Sequence, residues 1–152
     1  MSSQIWLMLL LPPAMMFCRP LHLLDPTFGQ VVTPVALNAA VRYGDFHVHP
    51  TQRELILAVQ EAHVGQGADG VENTVAAVHV PSGKVVTVLK GADFYEHPQF
   101  SPGGKRICWM QWDHPDMLWT GTPLYMAEWV AEMGTPGERT LVSDQAGVER
   151  IC

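Results

Sequence analysis

Apolar and polar residues alternate along most of the chain in short runs, and turn residues divide those runs. LHLLD (21–25) and QVVTP (30–34) flank a turn-like PTFG. Then come YGDFHVH (43–49), ELILAVQEAH (54–63), NTVAAVHV (73–80) and KVVTVLK (84–90). The last two are joined by Pro81-Ser82-Gly83, a hairpin signal. A second set follows: FYEHPQF (94–100), KRICWMQW (105–112), LYMAEWV (124–130) and RTLVSD (139–144). A period of two marks strands with one face buried. An apolar period of 3.6 with caps is sustained nowhere, although LYMAEWVAEM (124–133) has helical propensity. The pattern predicts an all-β chain.

The two sets are copies of one unit. VHPTQRELILAVQE from Val48 and FSPGGKRICWMQWD from Phe100 align at an offset of 100 − 48 = 52. In that register Pro50 meets Pro102, Arg53 meets Lys105, Leu55 meets Ile107, Leu57 meets Trp109 and Glu61 meets Asp113. VAAVHV from Val75 aligns with LYMAEW from Leu124 at an offset of 124 − 75 = 49. Four strands in about fifty residues is the size of a β-propeller blade. The expected fold is therefore a partial β-propeller: about two four-stranded antiparallel blades plus an outer hairpin of a preceding blade. The expected organisation is an unassigned apolar segment at 1–20, a partial blade and linker at 21–41, blades at 42–92 and 93–144, and a tail at 145–152. Such an assembly leaves open sheet edges, which invite pairing with another chain.

Composition narrows the functional classes. Of 152 residues 47% are hydrophobic and 16% charged, which suits a packed globular protein. A net charge of −6 without any basic run argues against a nucleic-acid surface. Cys18, Cys108 and Cys152 are an odd set without CxxC or Cys/His spacing, so neither a disulfide framework nor a zinc site is expected. A reducing, cytoplasmic setting follows as an expectation. The most apolar run, IWLMLLLPPAMMFC (5–18), is broken by Pro12-Pro13 and precedes the first arginine, Arg19. It reads as a buried strand or an apolar terminus, with a degenerate signal or anchor as the alternative.

RYGDFHVHP (42–50), LAVQEAH (57–63), ENTVAAVHVPSG (72–83) and GADFYEHPQFSPGGKRICWMQWDHPDMLWTGTPLYMAEW (91–129) resemble the N-terminal β-propeller of the prolyl oligopeptidase family of serine peptidases. The likeness is greatest to its acylaminoacyl-peptidase and dipeptidyl-aminopeptidase-like branch. This sequence departs from the family pattern at Ala62, Gly103, Leu118, Thr120 and Pro123. The resemblance implies that hydrolysis belongs to a separate α/β-hydrolase domain with a Ser-Asp-His triad and a G-x-S-x-G elbow. None of Ser2, Ser3, Ser82, Ser101 and Ser143 lies in such an elbow, so no catalytic residue is assigned here. The implied role of a propeller is to gate substrate access and support the hydrolase domain.

Candidate chemistry is sparse. His47 and His49 are two apart and share a face of a strand, and His63, His97 or Glu61 could complete a metal site with them. The set with His63 defines the alternative of a small all-β metal-binding protein or enzyme. Glu61 and Asp113 suggest an acid pair, but they are repeat equivalents in neighbouring units. Cys108, between Ile107 and Trp109, reads as a buried, inert thiol. Glu96, His97 and Asp113 are the residues expected to face the propeller channel. Tryptophans of WDHPDMLWTG (112–121) are expected to cap the second blade. No cofactor is expected. The expected partners are a peptidase catalytic domain, a full-length peptidase regulated by docking, or a second copy joined through open blade edges; a membrane is not.

Overall fold

The computed structural model describes residues 23–25, 30–32, 38–65, 70–130 and 135–143. The apolar segment at 1–20 and the tail at 145–152 lie outside the described residues. Among the described residues the regular elements are all β-strands, and no helix is long and apolar enough to cross a membrane. β1 (Leu23–Asp25) and β2 (Gln30–Val32) form the antiparallel hairpin read from the sequence.

Blade 1 is a sheet of β3 (Val41–Val48), β4 (Leu55–His63), β5 (Val71–His79) and β6 (Lys84–Leu89) in sequential antiparallel order. β5 and β6 turn through Pro81-Ser82-Gly83, where Gly83 takes φ 65, the left-handed conformation that glycine adopts without a Cβ penalty. Blade 2 places β7 (Phe94–Phe100), β8 (Arg106–Trp112) and β9 (Leu124–Val130) in the same order. Its fourth strand comes in two pieces, β10 (Thr135–Pro136) and β11 (Thr140–Ser143), both antiparallel to β9 along the same edge. The LYMAEWV segment is β9, a strand despite its helical propensity: Leu124, Ala127 and Trp129 are buried, and pairing with β8 decides the outcome.

The repeat extends to irregularities. β3 carries a bulge between Gly44 and His47, and β7 carries one between Glu96 and Gln99. Asp45 and His97, 52 residues apart in sequence, both take φ 51 inside those bulges. β6 and β11 are each bulged at one matching residue, Val88 and Val142.

One register differs from the sequence alignment. Tyr43 pairs with Gln60, whereas Tyr95 pairs with Gln111. The offset is thus 95 − 43 = 52 on the first strand and 111 − 60 = 51 on the second. The cause is the intervening turn. In blade 1 it is closed by the His49 N–H bond to the Leu55 carbonyl, and in blade 2 by the Ser101 N–H bond to the Arg106 carbonyl, one residue sooner. The partner of Ile107 is therefore Ile56, not Leu55. Likewise Trp109 matches Ala58, and Asp113 matches Ala62 rather than Glu61. A slip of one residue on a strand reverses the face that each side chain presents. On the third strand the 49-residue offset holds, because Ala58 pairs with Ala76 and Trp109 with Tyr125.

The blades pack face to face through one apolar layer. Leu57, Val75, Ala77 and Val88 of blade 1 meet Tyr95, Phe100, Ile107, Trp109, Ala127 and Trp129 of blade 2. A second cluster, Tyr43, Ile56, Ala58 and Val78, lies on the other side of blade 1. Ile56, Leu57 and Ala58 are buried in succession, so β4 is covered on both faces. Each large side chain buried this way contributes roughly 1.5–3 kcal/mol. Cys108, 5% exposed, is disulfide-bonded. This corrects the buried, inert thiol read from the sequence, because an odd cysteine count without recognisable spacing does not reveal a pairing.

Candidate functional site: the edge where the inner strands meet

β3 and β7, the first strands of the two blades, lie close enough for side chains of one to bond the backbone of the other. The His97 N–H donates to Asp45 Oδ2 at 3.2 Å, and the Phe100 N–H donates to His47 Nδ1 at 3.1 Å. His97 sits in the β7 bulge, and Phe100 lies beyond it in register with Ile107, its N–H facing the open edge of β7; both donors lack ladder acceptors. The neighbouring blade supplies them. In a propeller this edge faces the central channel.

Three polar side chains converge here. Asp45, Glu96 and His97 each offer a potential ligand atom, and these atoms lie within 4.8 Å of one another. His97 Nδ1 is 3.5 Å from Glu96 Oε1. Glu96 Oε2 is buried and has no hydrogen-bond partner. Burial raises the Glu96 carboxyl above the usual carboxylate range; His97 offsets part of that rise and the Asp45 carboxylate adds to it. The sequence pointed to Glu96 and His97 but missed Asp45. The available signal was the repeat itself, which places Asp45 and His97 at one position of successive units.

Asp113 stands apart from this cluster. Its Oδ1 accepts the Asp93 N–H at 2.8 Å, while Asp93 Oδ2 accepts the His114 N–H at 2.9 Å. These bonds tie the loop entering β7 to the loop leaving β8, and Asn73 Nδ2 adds a bond to the Asp93 carbonyl at 2.8 Å.

His47, His49 and His63 do not come together. His63 lies at the far end of β4, where it pairs with Glu61, and Arg42 also approaches that carboxylate at 3.8 Å. Six residues of strand separate it from the level of Leu57, the partner of His47, or roughly 20 Å at strand rise. His49 is 3% exposed and saturated with bonds. Its Nδ1 lies 3.0 Å from the Gln52 N–H and 3.3 Å from the Thr51 N–H, and its Nε2 lies 3.1 Å from the Gly104 carbonyl. The ring is therefore a neutral tautomer that accepts at Nδ1 and donates from Nε2. It also stands edge-on to Phe100, with ring centres 4.5 Å apart. His47 is held below its ordinary pKa mainly by burial. Both rings serve as inter-blade connectors.

The tryptophans divide by role. Trp109 is 1% exposed between the blades, and Trp112 stacks on Phe94 with ring centres 5.3 Å apart. Trp119 stands 75% exposed, so it caps nothing within these residues.

No family model matches the sequence, and no curated protein matches it. Solved structures do. A Mycobacterium tuberculosis puromycin-hydrolysing peptidase superposes with a TM-score of 0.70 and 26% identity over 82% of this chain and 20% of its own. A puromycin hydrolase superposes with a TM-score of 0.69 and 24% identity over 79% of this chain and 20% of its own. This chain thus spans about a fifth of the length of the peptidase structures it matches. The three-dimensional likeness agrees with the sequence motifs: the described residues resemble part of a β-propeller of prolyl oligopeptidase-family peptidases.

Proposed function

We propose, from that family resemblance, that these residues are propeller blades that screen substrates for a serine peptidase and do not themselves cut. The observation that carries this reading is the superposition on a puromycin-hydrolysing peptidase at 26% identity and a TM-score of 0.70. The site supports it chemically. A nucleophile needs a base within hydrogen-bond reach. Here the Ser82 hydroxyl lies 2.8 Å from His79 Nδ1, but in an exposed hairpin turn, and the Glu54 carboxylate on the far side of the ring stands 3.8 Å from Nε2, beyond the hydrogen-bond distance that orients the ring in a triad. The inner-strand edge instead presents Asp45, Glu96 and His97, groups able to attract or repel charged peptide termini at a channel mouth. Hydrolysis is assigned to an α/β-hydrolase domain of the kind the family resemblance implies.

The test is an assay of the purified 152-residue chain with aminoacyl and acylpeptide chromogenic substrates. No turnover above background is expected. Robust turnover that survives chelation would overturn the proposal. The complementary expectation is that a peptidase carrying these blades changes its peptide-length preference when Glu96→Gln and His97→Asn are introduced, with hydrolysis of a minimal chromogenic substrate unchanged.

A further inference from the structure

We infer that Asp45, Glu96 and His97 bind one divalent transition-metal cation, which pins the inner strands of the two blades together. This inference is independent of the peptidase reading and involves none of His47, His49 and His63. Its basis is the convergence of three ligand-bearing side chains from two different blades, with ligand atoms within 4.8 Å of one another.

The donor set defines the ion. Two carboxylates and one imidazole match zinc and its transition-metal neighbours, whereas calcium and magnesium prefer shells made entirely of oxygen. The 3.5 Å between His97 Nδ1 and Glu96 Oε1 is close to the ligand–ligand edge of about 3.4 Å that bonds near 2.1 Å make at a tetrahedral angle. Glu96 Oε2, buried without a partner, is a polar atom that protein groups leave unsatisfied and that a cation would satisfy. A divalent ion would also relieve the repulsion between two carboxylates held side by side.

The support around the ligands is in place. Asp45 is oriented by the 3.2 Å bond from the His97 N–H to its Oδ2, a backbone contact to a ligating carboxylate of the kind that tunes metal sites. The matched bulges, each with φ 51, turn Asp45 and His97 out of their ladders toward the shared edge. Three protein ligands leave the shell open for water or for a group from the solvent side. Because the ligands come from β3 and β7, binding would be coupled to how the blades sit against each other.

The experiment is calorimetric titration of the chelator-treated chain with Zn²⁺, with Mg²⁺ as control, alongside thermal melts. One saturable equivalent of Zn²⁺ is expected, with a rise in Tm and no response to Mg²⁺. Asp45→Asn and Glu96→Gln keep the size of each side chain, and the amide oxygen that Asp45→Asn introduces can still accept from the His97 N–H. Each is expected to weaken Zn²⁺ binding about tenfold or more while the metal-free Tm stays level or rises. His97→Asn, chosen because asparagine tolerates a left-handed backbone, is expected to do the same. A His63→Gln variant should bind like the parent. The inference is overturned if the chain takes up no saturable Zn²⁺ below roughly 1 mM, if Glu96→Gln binds as tightly as the parent, or if binding is lost in His63→Gln instead.

Discussion

The two blades share a plan, including the bulges on their first and last strands, yet they are covered differently. The third strand of blade 1 is buried without a break from Thr74 to Val78, on both faces. In blade 2 the third strand alternates: Ala127 and Trp129 are buried toward blade 1, while Glu128 and Val130 are exposed. Val88 at the outer bulge of blade 1 is 8% exposed, while Val142 at the same bulge of blade 2 is 37% exposed. Leu55, packed against the inter-blade layer, has Arg106 as its counterpart, and Glu128 faces Arg106 across the strands. The comparison separates two properties that a repeat combines. Strand pairing and bulges are set within a blade, whereas burial depends on the blade that follows.

The largest expected effect comes from removing the side chain that most fills the shared layer. Trp109→Ala should cost about 4 kcal/mol, read as a fall in the urea midpoint. Its repeat equivalent is Ala58, so the layer on the other side of blade 1 is built without that bulk. Ala58→Trp should also destabilise, by overpacking rather than by a cavity.

Next is the turn where blade 2 receives blade 1. A Cβ on Gly104 would sit 2.4 Å from His49 Cε1, and Gly104 has φ +68. Gly104→Ala should therefore cost about 3 kcal/mol, from strain and from displacing a buried ring. Gly103 next to it has nothing within 4 Å. Gly103→Ala should leave stability within about 0.5 kcal/mol, and equal losses at the two positions would refute the fit of His49 against Gly104.

A smaller effect tests the difference in covering directly. Val88→Ala should cost about 2 kcal/mol and Val142→Ala well under ~1 kcal/mol, although the two valines occupy one position of the repeat. If a further blade is added that covers the second face, the gap should close.

The smallest effect is titration of His47. Its folded pKa lies below the ordinary 6.5, with burial as the main cause, so the neutral ring is the form that folding favours. The contribution is present above pH 6.5 and is lost as pH falls from there toward the folded pKa, because the unfolded chain takes up the proton first. His47→Gln should flatten that part of the Tm-against-pH curve. A curve unchanged by the substitution would remove His47 as its source.

Much of this fold is legible in the sequence because each strand buries one face and ends at a turn residue. FYEHPQF and LYMAEWV coincide with β7 and β9 at both ends. What the alignment missed was a single residue in the turn after His49. Pro50 and Pro102 anchor the alignment on one side of that turn, and the apolar runs of β4 and β8 are hydrophobic enough to match at either offset. Only the ladder distinguishes them. The site was half legible: Glu96 and His97 stood out as polar residues within an aromatic strand, but Asp45 joins them through packing between blades. The exposure of Trp119 was also not readable, since a tryptophan's cost predicts a partner without naming one.

The central claim is that two successive blades carry the same inner-strand bulge but turns that differ by one residue. Cross-strand backbone NMR contacts test it most directly. The account predicts that Tyr43 contacts Gln60 while Tyr95 contacts Gln111. Contact between Tyr95 and Trp112 would restore an unbroken 52-residue repeat and contradict the account.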